Sequence, residues 1–202
     1  MSSDQHAVRR SLDPTWVESM GGPLIVVPVS ALQYWGGCTE EGMIIGDSDQ
    51  PDDYDKACQV EGLAEAITLH GHDAVTALVL GDEPATTCYL PELRAFVRWL
   101  AADSDAELLA AAEAALNDPS TPWEECGVWQ TDGSAVLMDS AEAGQHLGVP
   151  YPDGRGQPAQ APVPVPAGRW KVRAFHKSAG ESAWVGLVQL LPEAEGHPAT
   201  AP

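Results

Sequence analysis

Only one stretch of this chain carries the period of a long helix. In "SDAELLAAAEAALND" (104–118), Leu108, Leu109, Ala112 and Leu116 recur at helical spacing and would share one face. Ser104 and Glu107 form S-x-x-E, in which hydroxyl and carboxylate cap each other's backbone N–H groups. Pro119 and Pro122 stop the run, because proline cannot continue a helix. Elsewhere the apolar runs are short and end on glycine or proline, which reads as strands and turns. Strands outnumber helices and do not alternate with them. The predicted class is α+β, mostly antiparallel sheet with one clear amphipathic helix (about 104–118) and short helical turns.

The strand candidates run in order. Leu24 to Val27 is a buried strand stopped by Pro28, and "SALQYWGG" then makes one helical step. "DYDKACQV" starts a brief helix. "EAITLHG" and "DAVTALVLGD" are strands joined near Gly71. "TTCYL" and "RAFVRWLAA" form a hairpin around Pro91, with Ala95, Val97 and Trp99 on one face and Arg94 and Arg98 on the other. "CGVWQTD" and "SAVLMDSA" flank Asp132-Gly133, a strong hairpin signal. The prolines and glycines of 149–168 predict an extended, mobile connector, and "GRWKVRAFHK" and "SAWVGLVQLLP" follow as the last strands. The expected organisation is a disordered segment at 1–13, one domain at 14–192 and a disordered tail at 193–202.

Charge narrows the partners. Residues 1–168 carry six bases and 27 acids, net −21, and residues 169–202 carry four bases and three acids, net +1. Such a surface repels nucleic acid and anionic membrane, whose recognition needs clustered Lys and Arg. No run approaches the roughly 20 apolar residues of a membrane span. The start, "MSSDQHAVRRSLDP", lacks the apolar core of a signal peptide. The expectation is a cytoplasmic protein whose four cysteines are reduced. Their spacings of 20, 30 and 38 match no paired-ligand zinc pattern.

No catalytic set emerges. His70 and His72 would share a strand face, but zinc needs a third protein ligand, and Asp73 and Asp82 are not brought together with them by any pattern. The acidic loop fails as an EF-hand: Asp47 and Asp49 fit, yet Pro51 takes a ligand position and Asp52 stands where glycine is needed. Cys38 follows two glycines, but Glu40 and Glu41 beside it disfavour a thiolate. The chain has no G-x-S-x-G, no P-loop and no G-x-G-x-x-G after a strand. Catalytic residues, metal ligands and cofactors are therefore all predicted as none. Arg169, Lys171, Arg173 and Lys177 form a basic stripe on one strand face. Internal pairing, or the blunting of a sheet edge, explains it better than nucleic-acid binding.

Several segments together resemble a known family, immunity protein 21 of bacterial polymorphic toxin systems. They are Trp16 with Gly21-Gly22-Pro23, Trp35-Gly36, "DYDKAC" at 53–58, "LGDEP" at 80–84, Arg98-Trp99, Trp123-Glu124, "DSA" at 139–141 and "LLP" at 190–192. The resemblance is thinnest over 149–168. It implies a non-catalytic α+β protein that neutralises a toxin encoded beside it. Its partner would be the cognate toxin domain, basic and nuclease-like if charge complementarity holds, with no small-molecule substrate. The expected toxin-binding residues are Glu40, Glu41, Asp47, Asp49, Asp52, Asp53 and Asp55. Trp16, Trp35, Gly36, Trp99 and Trp123 are expected to hold the fold. The rival reading is a small metal-dependent hydrolase built on His70 and His72.

Overall fold

A computed structural model describes residues 14–39, 51–81, 83–176 and 183–193. Its strands are β1 (Trp16–Val17), β2 (Leu24–Pro28), β3 (Glu65–Leu69), β4 (His72–Leu80), β5 (Thr87–Leu90), β6 (Ala95–Ala101), β7 (Glu124–Thr131), β8 (Ala135–Asp139), β9 (Gln160–Val163), β10 (Gly168–His176) and β11 (Trp184–Pro192). The α-helices are α1 (Asp53–Cys58) and α2 (Asp105–Asn117), with 3-10 turns at Val29–Tyr34 and Gly144–His146. One sheet has the order β1-β5-β6-β11-β10-β7 and the other β3-β4-β2-β8-β9. Every strand pair is antiparallel.

Side-chain alternation stacks these elements in layers. Leu24, Val26, Leu78, Leu80 and Leu137 from one sheet meet Phe96, Trp129, Trp170, Val172 and Val188 from the other. The opposite sides of the same strands also find cover. Ile25, Val27, Val79 and Met138 pack under Ala31, Trp35, Ala57 and Leu147 of the helical turns. On the far side Val97, Val185 and Leu187 pack under Leu108 and Ala112 of α2. Burial on both faces is why "LIVVP" reads as an uninterrupted apolar run: all five residues of β2 are buried.

Three expectations need correction. β7 and β8 do not form a hairpin across Asp132-Gly133. β7 pairs with β10 in one sheet, while β8 lies between β2 and β9 in the other, so the turn is a corner between sheets. The connector 149–168 is not wholly loop, because its residues 160–163 form β9 at a sheet edge. There Pro162 is exposed, and an edge strand tolerates proline because one of its rims needs no ladder bonds. The basic strand β10 is not at an edge either, since β7 lies outside it.

The helix expectation is met in part: Ser104 caps α2 by accepting from the Glu107 N–H at 3.2 Å, but the Glu107 carboxylate accepts from Asp103 N in place of Ser104 N, so the expected reciprocal box is not formed. Leu109 and Leu116 are half-buried beside the buried Leu108 and Ala112. The segments 1–13 and 194–202 lie outside the described residues, but Glu193 is held by Arg169 through both its backbone and its carboxylate. Among the described residues no helix is long and apolar enough to cross a membrane.

Candidate functional site

Register brings four distant segments to one end of the β2 sheet. Leu24, at the start of β2, pairs with Leu80 at the end of β4 and with Asp139 at the end of β8. Gly21-Gly22-Pro23, Gly81 with Glu83-Pro84, and Asp139-Ser140-Ala141 are therefore neighbours. The 3-10 turn after β2 folds back over the same sheet and carries Trp35 and Gly36 to them, and α1 docks beside that step.

The junction is pinned mostly by backbone. The Trp35 indole N–H donates to Ser140 O at 3.1 Å, and Trp35 is fully buried. Cys38 N donates to Ala141 O, Ser140 N to Pro23 O and Tyr54 N to Gly37 O. Two glycines allow the close approach. A Cβ on Gly22 would lie 2.5 Å from the Tyr54 ring, and one on Gly37, whose φ is 66°, would lie 2.5 Å from Ala141 O.

Asp139 is the buried anion of this junction. Its carboxylate accepts from Met20 N at 2.6 Å and Ala141 N at 2.8 Å. Burial raises its pKa above the usual carboxylate value, against the lowering effect of those two donors.

Between these segments lies a cleft of about 170 Å³. Gly21, Gly22 and Pro23, then Ala57, Cys58 and Val60, and then Glu83 and Pro84 line it. The Glu83 backbone is fixed from beneath. Buried Arg98 donates from one guanidinium nitrogen to Glu83 O, and another lies 3.4 Å from His176 Nε2. Small-molecule pockets usually enclose about 300–1,000 Å³, so this cleft suits one inserted side chain better than a substrate.

Among the described residues, neither cysteine near the cleft is an activated nucleophile. Burial, then Asp52 and Asp55, push the Cys38 thiol up. Burial and the fields of Asp55, Asp52 and Asp139 raise Cys58, despite the hydrogen bond it accepts from Tyr54. The Tyr54 hydroxyl is pushed up to about 12, first by that bond and then by burial. Gly71, at φ 73°, forms the β3–β4 turn with His70, so His70 and His72 flank a reversal and do not alternate along one strand. Among the described residues no three His, Cys, Asp or Glu side chains converge as a ligand set.

The sequence-predicted acids divide into two groups. Glu40, Glu41, Asp47 and Asp49 lie outside the described residues. Asp52, Asp53 and Asp55 are half-buried and build the start of α1. Asp52 accepts from Asp55 N at 2.8 Å and Thr39 N at 2.9 Å, and Asp55 accepts from Asp52 N. Asp53 accepts from Gly36 N and pairs with Lys56, both at 2.8 Å.

The tryptophans of the motif segments lie away from the cleft, except Trp35. Trp16 and Trp99 meet edge-on at 5.4 Å, and Trp123 packs on Phe175 at 5.9 Å. The basic stripe is partly engaged. Arg169 pairs with Glu193 at 2.5 Å, and Arg173 donates to Gln189 and lies 4.2 Å over the Trp123 ring. Lys171 is exposed, and Lys177 lies outside the described residues.

Sequence reasoning placed Arg98, Glu83 and Asp139 in motif segments but gave them no role, and it missed the cleft itself. A further signal was the lone arginine inside the apolar run "AFVRWLA".

No curated protein and no solved structure matches the chain. The family model described as Immunity protein 21 matches residues 15–183. That span includes every segment that meets at the cleft, and the chain belongs to the immunity protein 21 family.

Proposed function

We propose that this protein binds a cognate toxin domain in the cytoplasm and neutralises it by occupying its active site or substrate groove, without chemistry of its own. The observation that carries this reading is the family match over 15–183. The charge supports it. A net charge of −20 suits a basic toxin such as a nuclease, because complementary fields steer the encounter and raise the on-rate. The acids of 47–55 together with Glu40 and Glu41 supply the summed field. The internal roles of Asp52, Asp53 and Asp55 do not remove their charge from it.

The test is coexpression with the toxin domain encoded beside this gene. Cells that stop growing with the toxin alone should grow when this protein is present. Continued growth arrest, with both proteins soluble and expressed, would sink the reading. The metal-hydrolase alternative gains no support from the site, where His70 and His72 flank a turn and no ligand set converges among the described residues.

A further inference from the structure

We infer that the cleft between Gly21–Pro23, Cys58, Val60 and Glu83 is the seat for one lysine or arginine side chain of the toxin, which makes it the anchor point of the interface. The inference rests on the toxin-binding reading above and assigns that reading a place on the surface.

Size, lining and charge each point to this occupant. The volume of about 170 Å³ fits a single long side chain. Pro23 and Val60 in the lining offer apolar surface to an alkyl stem, and Glu83 in the same lining offers a carboxylate to a cationic head. Lysine and arginine have this division, apolar along the stem and charged at the tip. The Glu83 side chain is exposed and has no ion-pair partner among the described residues.

The wall itself lies in a negative field. Burial is the first cause of the raised Cys58 thiol, and the charges of Asp55, Asp52 and Asp139 add to it; those charges, which disfavour a thiolate, favour a cation at the same place. The site is also held rigid. Arg98 holds the Glu83 carbonyl from below, and the Gly22 backbone is pressed against the Tyr54 ring. A preformed seat spares a complex the entropy of ordering it.

Met20 precedes the lining residue Gly21 in sequence and is 59% exposed, and the Tyr151 hydroxyl lies 3.8 Å from its sulfur. Methionine and tyrosine are enriched in interface cores, and anchor side chains gather in central pockets sealed by such neighbours.

The test is titration of purified Glu83→Gln, Cys58→Phe and Glu113→Gln variants with the neighbouring toxin domain. Glu83→Gln removes the carboxylate charge at constant shape, and Cys58→Phe adds bulk to the lining from an exposed position. Glu113 is an exposed acid on α2, on the far side of the other sheet, and serves as the control. Each of the first two variants should weaken binding by at least about tenfold with an unchanged unfolding midpoint, and the control by less than about twofold. Wild-type affinity in both cleft variants overturns the inference and leaves the toxin-binding reading standing. Loss in Cys58→Phe alone overturns the cationic occupant, since an apolar one would fit that result. Absence of binding by the unaltered protein overturns the toxin-binding reading, and the inference with it.

Discussion

The Trp35 indole donates to the Ser140 carbonyl across 105 positions of sequence. This bond, with Gly144 N donating back to Trp35 O at 3.0 Å, ties the turn after β2 to the end of β8. Trp35→Phe keeps a smaller buried aromatic ring and deletes the donor, leaving a buried carbonyl unpaired. The expected loss is about 1–3 kcal/mol, and Trp35→Ala should lose about 3–5 kcal/mol. Urea unfolding of the three proteins checks both values. A Phe variant as stable as wild type would show that the bond contributes nothing.

Gly22 and Tyr54 are coupled by contact. Gly22→Ala drives a methyl group into the Tyr54 ring, where only 2.5 Å is available, and should cost about 1–3 kcal/mol as an overpacked site. Tyr54→Leu in the same chain should recover part of that loss. A double-mutant cycle should give a coupling of about 1 kcal/mol, and purely additive losses would count against the contact.

Asp139 has a folded pKa above its ordinary 3.8, so the folded state holds that proton more tightly than the unfolded chain does. The stability from this proton is complete below the unfolded value and is lost as pH rises through the folded one. The stability of the wild type relative to Asp139→Asn should therefore fall as pH rises through that window. An NMR titration should place the Asp139 midpoint above 3.8, and a midpoint at or below it would contradict the burial argument.

Asp52 has a capping role that can be separated from its charge. Asp52→Ala removes the N-cap of α1 and should cost about 1 kcal/mol. Asp52→Ser keeps a capping oxygen and should stay within about 0.5 kcal/mol of wild type. Both remove one negative charge, so both should slow toxin association at low salt by similar factors. Stopped-flow association checks this, and a serine variant with the wild-type rate would take Asp52 out of the steering field.

The strands were legible because their apolar runs are short and bounded by glycine and proline, as at Leu24–Pro28 and Trp184–Pro192. Their partners were not. Asp132-Gly133 signals a reversal, and a reversal is compatible both with a hairpin and with a corner between sheets. Long-range pairing of β8 with β2 and β9 decided it. Pro162 and Pro164 concealed β9, because proline reads as loop wherever the strand's edge position is unknown. Among the site residues, "DYDKAC" and "DSA" were visible as motif segments. Their meeting with Gly21–Pro23 and Glu83 depends on register across β4, β2 and β8, which local sequence does not encode. Asp52, Asp53 and Asp55 were read as free surface charge, whereas an aspartate before a helix also satisfies open N–H groups.

Capture of a basic toxin domain by this acidic protein is the central claim. The most direct test is calorimetric titration of the purified protein with the toxin domain encoded beside it, at low and at high salt. The account predicts a one-to-one complex with a Kd of about 1 nM or tighter at low salt, loss of toxin activity at equivalence, and weaker binding as salt rises. No complex at about 10 μM of each partner, or a complex in which the toxin stays fully active, would contradict it.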